Sequence, residues 1–245
     1  MPNLISFSFY VILLLNPLVM TNHVETVAPV ISSCLASEDN YMEIYIDAGL
    51  EGKLDYGIYQ RAIRGLTVVS AHRQDLITII DFTKPSSEQR LYVIDLKQRK
   101  VLHQTLVAHG KNSGEKECDH FSNSPQSLQS SPGFYLTAEA YNGRNGYSLR
   151  LDGKEPGIND LARPRAIVMH GADYVCQEYV KEYGYIGRSW GCPAVPEELA
   201  REIIDLIKEG SCLYIHTNDP TYINHSVLAV SNQDPGDIDP LFGSF

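Results

Sequence analysis

The residues best suited to chemistry sit in one short run, Arg188-Ser189-Trp190-Gly191-Cys192-Pro193-Ala194. A thiol after glycine and just ahead of a helix has two advantages. Glycine permits a tight turn, so main-chain N–H groups can point at a developing oxyanion. The positive end of the following helix favours thiolate over thiol. A cysteine also needs a base, and His170 closes the apolar run Ala166-Ile167-Val168-Met169-His170. A strand end is a rigid place from which an imidazole can face a loop, and the Gly171 carbonyl can orient its second nitrogen. Cys192, His170 and Gly171 therefore form a candidate nucleophile, base and orienter.

Other constellations carry less. His109, Cys118, Asp119 and His120 have metal-ligand residue types, but spacing of that kind is common by chance and no metal is expected there. Five cysteines leave at least one unpaired, and no Cys-x-x-Cys pair suggests a zinc ribbon. Cys118, Cys176 and Cys212 read as structural, and His103 and His216 as strand residues. The net charge of −10 argues against a nucleic-acid partner.

The elements that must position these groups are mostly strands. Residues 76–82, 90–96, 101–110, 133–139, 146–153, 166–172 and 212–217 are short runs rich in β-branched and aromatic residues, punctuated by Gly, Pro, Asn and Ser. Asn142-Gly143-Arg144-Asn145-Gly146 reads as a tight turn. A helix starts after Asp55, with Tyr59, Ala62, Ile63 and Leu66 on one stripe, and another covers about 174–183. A third has Pro196 at its first position, Glu197 and Glu198 at the dipole's positive end, Lys208 in its last turn and Gly210 as its stop. The fold class is mainly β (α+β), a β-sandwich or mixed sheets with a few packed helices.

The N-terminus has a different character. Ile5–Met20 is apolar and uncharged, too short for a comfortable membrane span and suited to a secretory leader. Residues 1–22 are thus expected to be a signal peptide and 23–50 a linker. A short helix over 51–66 would pack on a catalytic domain at 67–218, with 219–245 as a tail. Ile31-Ser32-Ser33-Cys34 resembles a lipoprotein cleavage box, but Cys34 lies well beyond the apolar run, so export to the periplasm or cell envelope without a lipid anchor is the expectation.

At the cysteine and histidine segments the chain resembles the YkuD-type L,D-transpeptidase catalytic domain, whose motif reads His-Gly or His-Ser, a spacer, then Ser-x-Gly-Cys. The likeness is greatest to the branch with SWGCPA preceded by a strand ending HGA, and it extends over roughly residues 76–217. Ser131-Pro132-Gly133-Phe134 stands at a turn shared with the wider family. The resemblance implies that Cys192 attacks the third residue of a peptidoglycan stem tetrapeptide. D-alanine would leave, and a thioester would pass to an acceptor amine. His170 would act as base with Gly171 orienting it, the N–H groups of Gly191 and Cys192 would form the oxyanion site, and Ser189 would shape the turn. No cofactor would be needed, and carbapenem-type inhibitors would react at the same thiol. The alternatives are an L,D-carboxypeptidase or endopeptidase acting through the same acyl-enzyme, or a non-catalytic wall-binding module. Two positions depart from the wider family: Trp190 replaces a histidine, and Ala194 stands where an arginine is usual. Arg188 and Arg165 are the candidates to supply that charge, with Trp190 as a further substrate contact.

Overall fold

A computed structural model describes residues 38–226, so the apolar run, Cys34 and the last part of the expected tail lie outside the described residues. The chain forms eight strands: β1 (Arg73–Asp81), β2 (Leu91–Asp95), β3 (Lys100–Thr105), β4 (Gly133–Gly143), β5 (Gly146–Gly153), β6 (Val168–Ala172), β7 (Ala194–Pro196) and β8 (Ser211–His216). Five helices accompany them: α1 (Glu38–Asp47), α2 (Tyr56–Val68), α3 (Gln177–Tyr183), α4 (Glu197–Ile207) and α5 (Pro220–His225). The strands join in a continuous mixed sheet ordered β3-β2-β1-β8-β4-β5-β6-β7. β1 is parallel to β8 and β6 to β7, while the other neighbours are antiparallel. The mainly β architecture with mixed strands and packed helices agrees with the sequence.

Helices cover both faces, which explains why the central strands read as continuous apolar runs. Along β1, alternate residues go to opposite sides. Ile77 and Ile79 join Ile58, Ile63 and Leu66 of α2. Leu76 and Ile80 join Ile203, Ile204 and Ile207 of α4. The Asp55 carboxylate caps α2 by accepting from the Ile58 N–H at 3.1 Å. Gly65 sits mid-helix because a Cβ there would lie 1.9 Å from the Phe134 ring, itself stacked on Tyr214 at 4.3 Å.

Several expected boundaries shift. The span read as linker contains α1, whose Tyr45 hydroxyl donates to the Leu54 carbonyl at 2.6 Å. The span read as tail begins with α5, which buries Tyr222 and is capped by Asp219. Tyr222 also donates to the buried Glu155 carboxylate at 3.4 Å. Pro196 is the cap of α4 rather than its first residue, because β7 runs directly into the helix. Lys208 likewise stands at the cap and pairs with Asp205 at 2.8 Å. The run 101–110 leaves the sheet after Thr105, and its end forms single bridges from Ala108 to Ala194 and from Gly110 to Ser189. Those two bridges bring the cysteine segment against the sheet edge.

Candidate functional site

The turn around Cys192 is built from its own side chains. The Ser189 hydroxyl donates to the Cys192 carbonyl at 2.6 Å and accepts from the Gly191 N–H at 3.1 Å. Gly191 has φ +118°, and a Cβ there would lie 2.7 Å from the Gln129 carbonyl. Only glycine meets both demands without strain. A similar close approach sits behind it, where a Cβ on Gly110 would lie 2.9 Å from the Gly191 Cα. Ser130 bridges the two, accepting from Gly110 N–H at 3.0 Å and donating to the Gly191 carbonyl at 3.3 Å.

Because the Gly191 N–H is engaged within the turn, it is not open to an oxyanion as the sequence suggested. The Cys192 N–H has no acceptor among the described residues.

His170 reaches the same place from β6. Its register partners are Ser148 on β5 and Ala194 on β7, so the β6–β7 pairing carries the imidazole to within two residues of Cys192 along the neighbouring strand. Nδ1 lies 2.8 Å from the Gly171 carbonyl. A carbonyl can only accept, so Nδ1 carries the proton and Nε2 holds the lone pair. Burial lowers the His170 pKa, and the Gly171 bond opposes that only in part. The ring is therefore neutral in the neutral pH range.

Cys192 is 7% exposed. Burial raises its pKa, opposed by the Val168 N–H and the Arg165 charge. The thiol donates to the Ala166 carbonyl at 3.7 Å and accepts from Val168 N–H at 3.5 Å, rather than bonding His170. The expected help from a helix start is missing for a geometric reason. β7 intervenes, so α4 begins at Glu197, beyond the reach of a dipole that fades within a turn.

Both groups line one cleft of about 430 Å³, together with Ser189, Trp190, Arg165 and Arg188. The two arginines differ in freedom. Arg165 holds the 122–131 loop through Ser122 O at 2.7 Å, Gln129 O at 2.7 Å, Ser131 Oγ at 2.5 Å and Ser127 Oγ at 3.1 Å. Four of its five donors are thus engaged, which leaves Arg165 little freedom to bind a substrate. Arg188 bonds the carbonyls of Gly114 at 3.0 Å and Lys111 at 3.4 Å through Nη1 alone, leaving its other donors without a hydrogen bond among the described residues. Trp190 stands 63% exposed at the cleft. Ala194 is fully buried among Leu106, Ala108, Val175 and Ile186, so that position faces core and not cleft.

Two lining residues escape a reading of the sequence. Arg144, at the tip of the β4–β5 hairpin, lies 5.7 Å from the Trp190 ring. Tyr174 packs against Gly187, where a Cβ would come within 2.5 Å of its own, and burial pushes its pKa up to about 12. Turn composition concealed the first, and nothing local marks the second.

Beneath the site, Arg90 is fully buried and donates to the Val107 and Lys84 carbonyls. It also reaches His109 Nδ1 at 2.7 Å. Arginine can only donate, so Nδ1 of His109 accepts and Nε2 carries the proton toward Gly114 O at 3.4 Å. The His109 carbonyl in turn receives the Ser189 N–H at 2.9 Å. Arg90 therefore props the cysteine turn through one histidine. With both ring nitrogens engaged, His109 is no metal ligand, and no cluster of three such groups is placed for a metal among the described residues.

Known proteins match this chain at the level of a family. The L,D-transpeptidase catalytic domain matches residues 50–216. Solved structures with similarity include an L,D-transpeptidase from Mycobacterium smegmatis, 13% identical with TM-score 0.36, covering 58% of this chain and 59% of that one. An Enterococcus faecium L,D-transpeptidase mutant is 14% identical with TM-score 0.36, over 58% of this chain and 50% of that one. L,D-transpeptidase 3 from Mycobacterium tuberculosis is 10% identical with TM-score 0.37, over 58% and 61%. The chain thus spans under two thirds of the length of these relatives. No functionally curated protein matches it. The family match takes in the strand that carries His170 and the turn that carries Cys192, and the chain belongs to the L,D-transpeptidase catalytic domain family.

Proposed function

We propose that this protein is a cysteine acyltransferase acting on peptidoglycan stem peptides. The observation that carries the reading is the pairing at the cleft: a buried thiol and a neutral imidazole, fixed by Gly171 as a base, line one open cavity. Sγ attacks the carbonyl of the third residue while His170 Nε2 takes the thiol proton. The amide C–N bond then breaks, and the protonated imidazole returns its proton to the departing D-alanine amine. An acceptor amine from a second stem attacks the thioester and yields its proton to His170, and the free thiol is restored.

Both resting groups are uncharged, so the mechanism is general-base assisted rather than a preformed thiolate–imidazolium pair. The Cys192 N–H is the donor available to the oxyanion. The thiol must turn from Ala166 toward Nε2, a tightening common on substrate binding. Such a substrate places the protein outside the cytoplasm, in the cell envelope.

The test is intact-mass measurement after incubation with a carbapenem and, separately, a stem tetrapeptide with a second stem as acceptor. The parent gains one adduct and releases a crosslinked product, and Cys192→Ala gives neither. An unmodified parent refutes the acyl-enzyme. Release of tripeptide without crosslinks assigns the hydrolytic outcome instead.

A further inference from the structure

The cleft departs from the rest of the molecule in charge. The chain carries 20 Lys and Arg against 30 Asp and Glu. The cleft wall nevertheless holds Arg144, Arg165, Arg188 and His170 and no carboxylate. Other cavities follow the overall balance: one is lined by Glu117, Asp119 and Asp219. A concave surface lined by one sign of charge draws in ligands of the other.

Within the cleft, Arg165 and Arg188 are tied to carbonyls and hydroxyls of the chain, whereas Arg144 has no hydrogen bond or ion pair among the described residues. On the same hairpin Arg150 pairs with Glu139 at 2.9 Å, and nearby Arg163 pairs with Glu139 and Asp152. Arg144 has no carboxylate or carbonyl partner among the described residues. Its contact is the Trp190 ring. That ring is a large apolar face left 63% exposed, two residues from Cys192. Two residues of chain span at most about 7 Å. The hairpin tip is built for glycine: a Cβ on Gly143 would lie 2.6 Å from the Tyr141 ring, and Gly146 has φ +74°. A guanidinium held over an indole keeps its in-plane N–H fork free for a bidentate acceptor.

We infer that Arg144, laid over Trp190 at the mouth of the cleft, binds the C-terminal carboxylate of the acyl donor and thereby sets which peptide end reaches Cys192. This rests on the proposed function, since a peptide that loses its last residue to Cys192 must carry its terminal carboxylate one residue beyond the scissile carbonyl. Arg165 is less free to serve, because four of its five donors hold the 122–131 loop.

The experiment uses the full chain as Cys192→Ala, so that binding is read without turnover. Calorimetry measures the affinity of a stem tetrapeptide as free acid and as C-terminal amide. Trp190, the single tryptophan of the chain, reports by fluorescence whether the ligand reaches this wall. The free acid is expected to bind about tenfold more tightly and to change the emission. Adding Arg144→Gln brings the two affinities within about twofold, and Arg144→Lys restores part of the preference. Equal affinity for acid and amide in the Cys192→Ala chain overturns the inference. So does a preference that survives Arg144→Gln, and either result leaves the acyltransferase reading in place. Failure to bind either peptide removes both.

Discussion

Arg90 lies over the Phe82 ring at 4.7 Å and Arg144 over the Trp190 ring at 5.7 Å, each a guanidinium against an aromatic face. There the likeness ends. Arg90 is fully buried, and its donors meet the Val107 and Lys84 carbonyls and His109 Nδ1. Burial pulls its pKa down to about 10, yet it remains charged at neutral pH. Arg144 is exposed and has no carboxylate or carbonyl partner among the described residues. One cation is consumed by the architecture that holds Ser189 and Cys192 in place, and the other is left for something outside the chain. A residue's type therefore says little about its use. What separates the two is whether the protein supplies acceptors around the side chain.

The largest effect should come from breaking the buried member. Arg90→Leu leaves two carbonyls and an imidazole nitrogen without their donor in a dry interior. Each buried polar group left without its partner costs about 1–3 kcal/mol. Denaturant unfolding should show that loss. Carbapenem acylation of the surviving folded protein should also slow, because the His109 carbonyl that receives the Ser189 N–H loses its support. A loss under about 1 kcal/mol would mean that the buried arginine does not prop the cysteine turn.

Gly191→Ala comes next. Its φ of +118° is a conformation that L side chains rarely adopt, and the new methyl would meet the Gln129 carbonyl at 2.7 Å. Strain of that kind costs about 1–3 kcal/mol. The damage should fall on acylation rate as well as on the unfolding midpoint, because the turn that carries Cys192 must shift. An unchanged acylation rate would show that the turn tolerates movement.

Sequence patterns and the finished site overlap unevenly, for physical reasons. The strands were legible because the central ones are buried on both faces and concentrate β-branched residues. β7 was not, since three residues beside a helix cap leave no period to detect. Cys192 and His170 stood out because a nucleophile and a base must have particular residue types. Arg144 did not, because Asn142–Gly146 spells a turn, and the ring it faces belongs to a segment brought near only by the pairing of β5, β6 and β7. Arg165 looks like a free charge in the sequence because its partners, Ser122 to Ser131, lie on a loop with no pattern of its own. The helix α1 was missed because its stripe is short and polar residues dominate it.

A third test uses pH. His109 has its pKa lowered to about 3 and His216 to about 4, each by burial. Both values lie below the unfolded value near 6.5, so each histidine contributes stability that is complete above pH 6.5. That contribution is lost as pH falls toward the folded value. Over that window each histidine removes about 1.4 kcal/mol per pH unit. Glu155 opposes them, since burial raises its pKa and its contribution grows as pH falls. His109→Gln, whose amide oxygen can still accept from Arg90, should flatten the acid limb of the unfolding curve by one proton. An identical limb would show that His109 titrates normally. Acylation should have its own acid limb, below the usual histidine range because the His170 pKa is lowered, and its loss in His170→Gln would assign it.

The smallest expected change is the stability of Arg144→Gln, and it completes the contrast with Arg90. An exposed cation–π contact contributes about 0.5–1 kcal/mol, and no hydrogen bond among the described residues is broken. The unfolding midpoint should move by less than about 1 kcal/mol, against several for Arg90→Leu. If the two variants destabilise equally, the hairpin tip is part of the scaffold, and Arg144 belongs with Arg90. If Arg144→Gln folds like the parent while the preference for a free carboxylate disappears, the two stacked arginines are separated by a measurement. The unmatched one is then the residue through which the cleft reads its ligand.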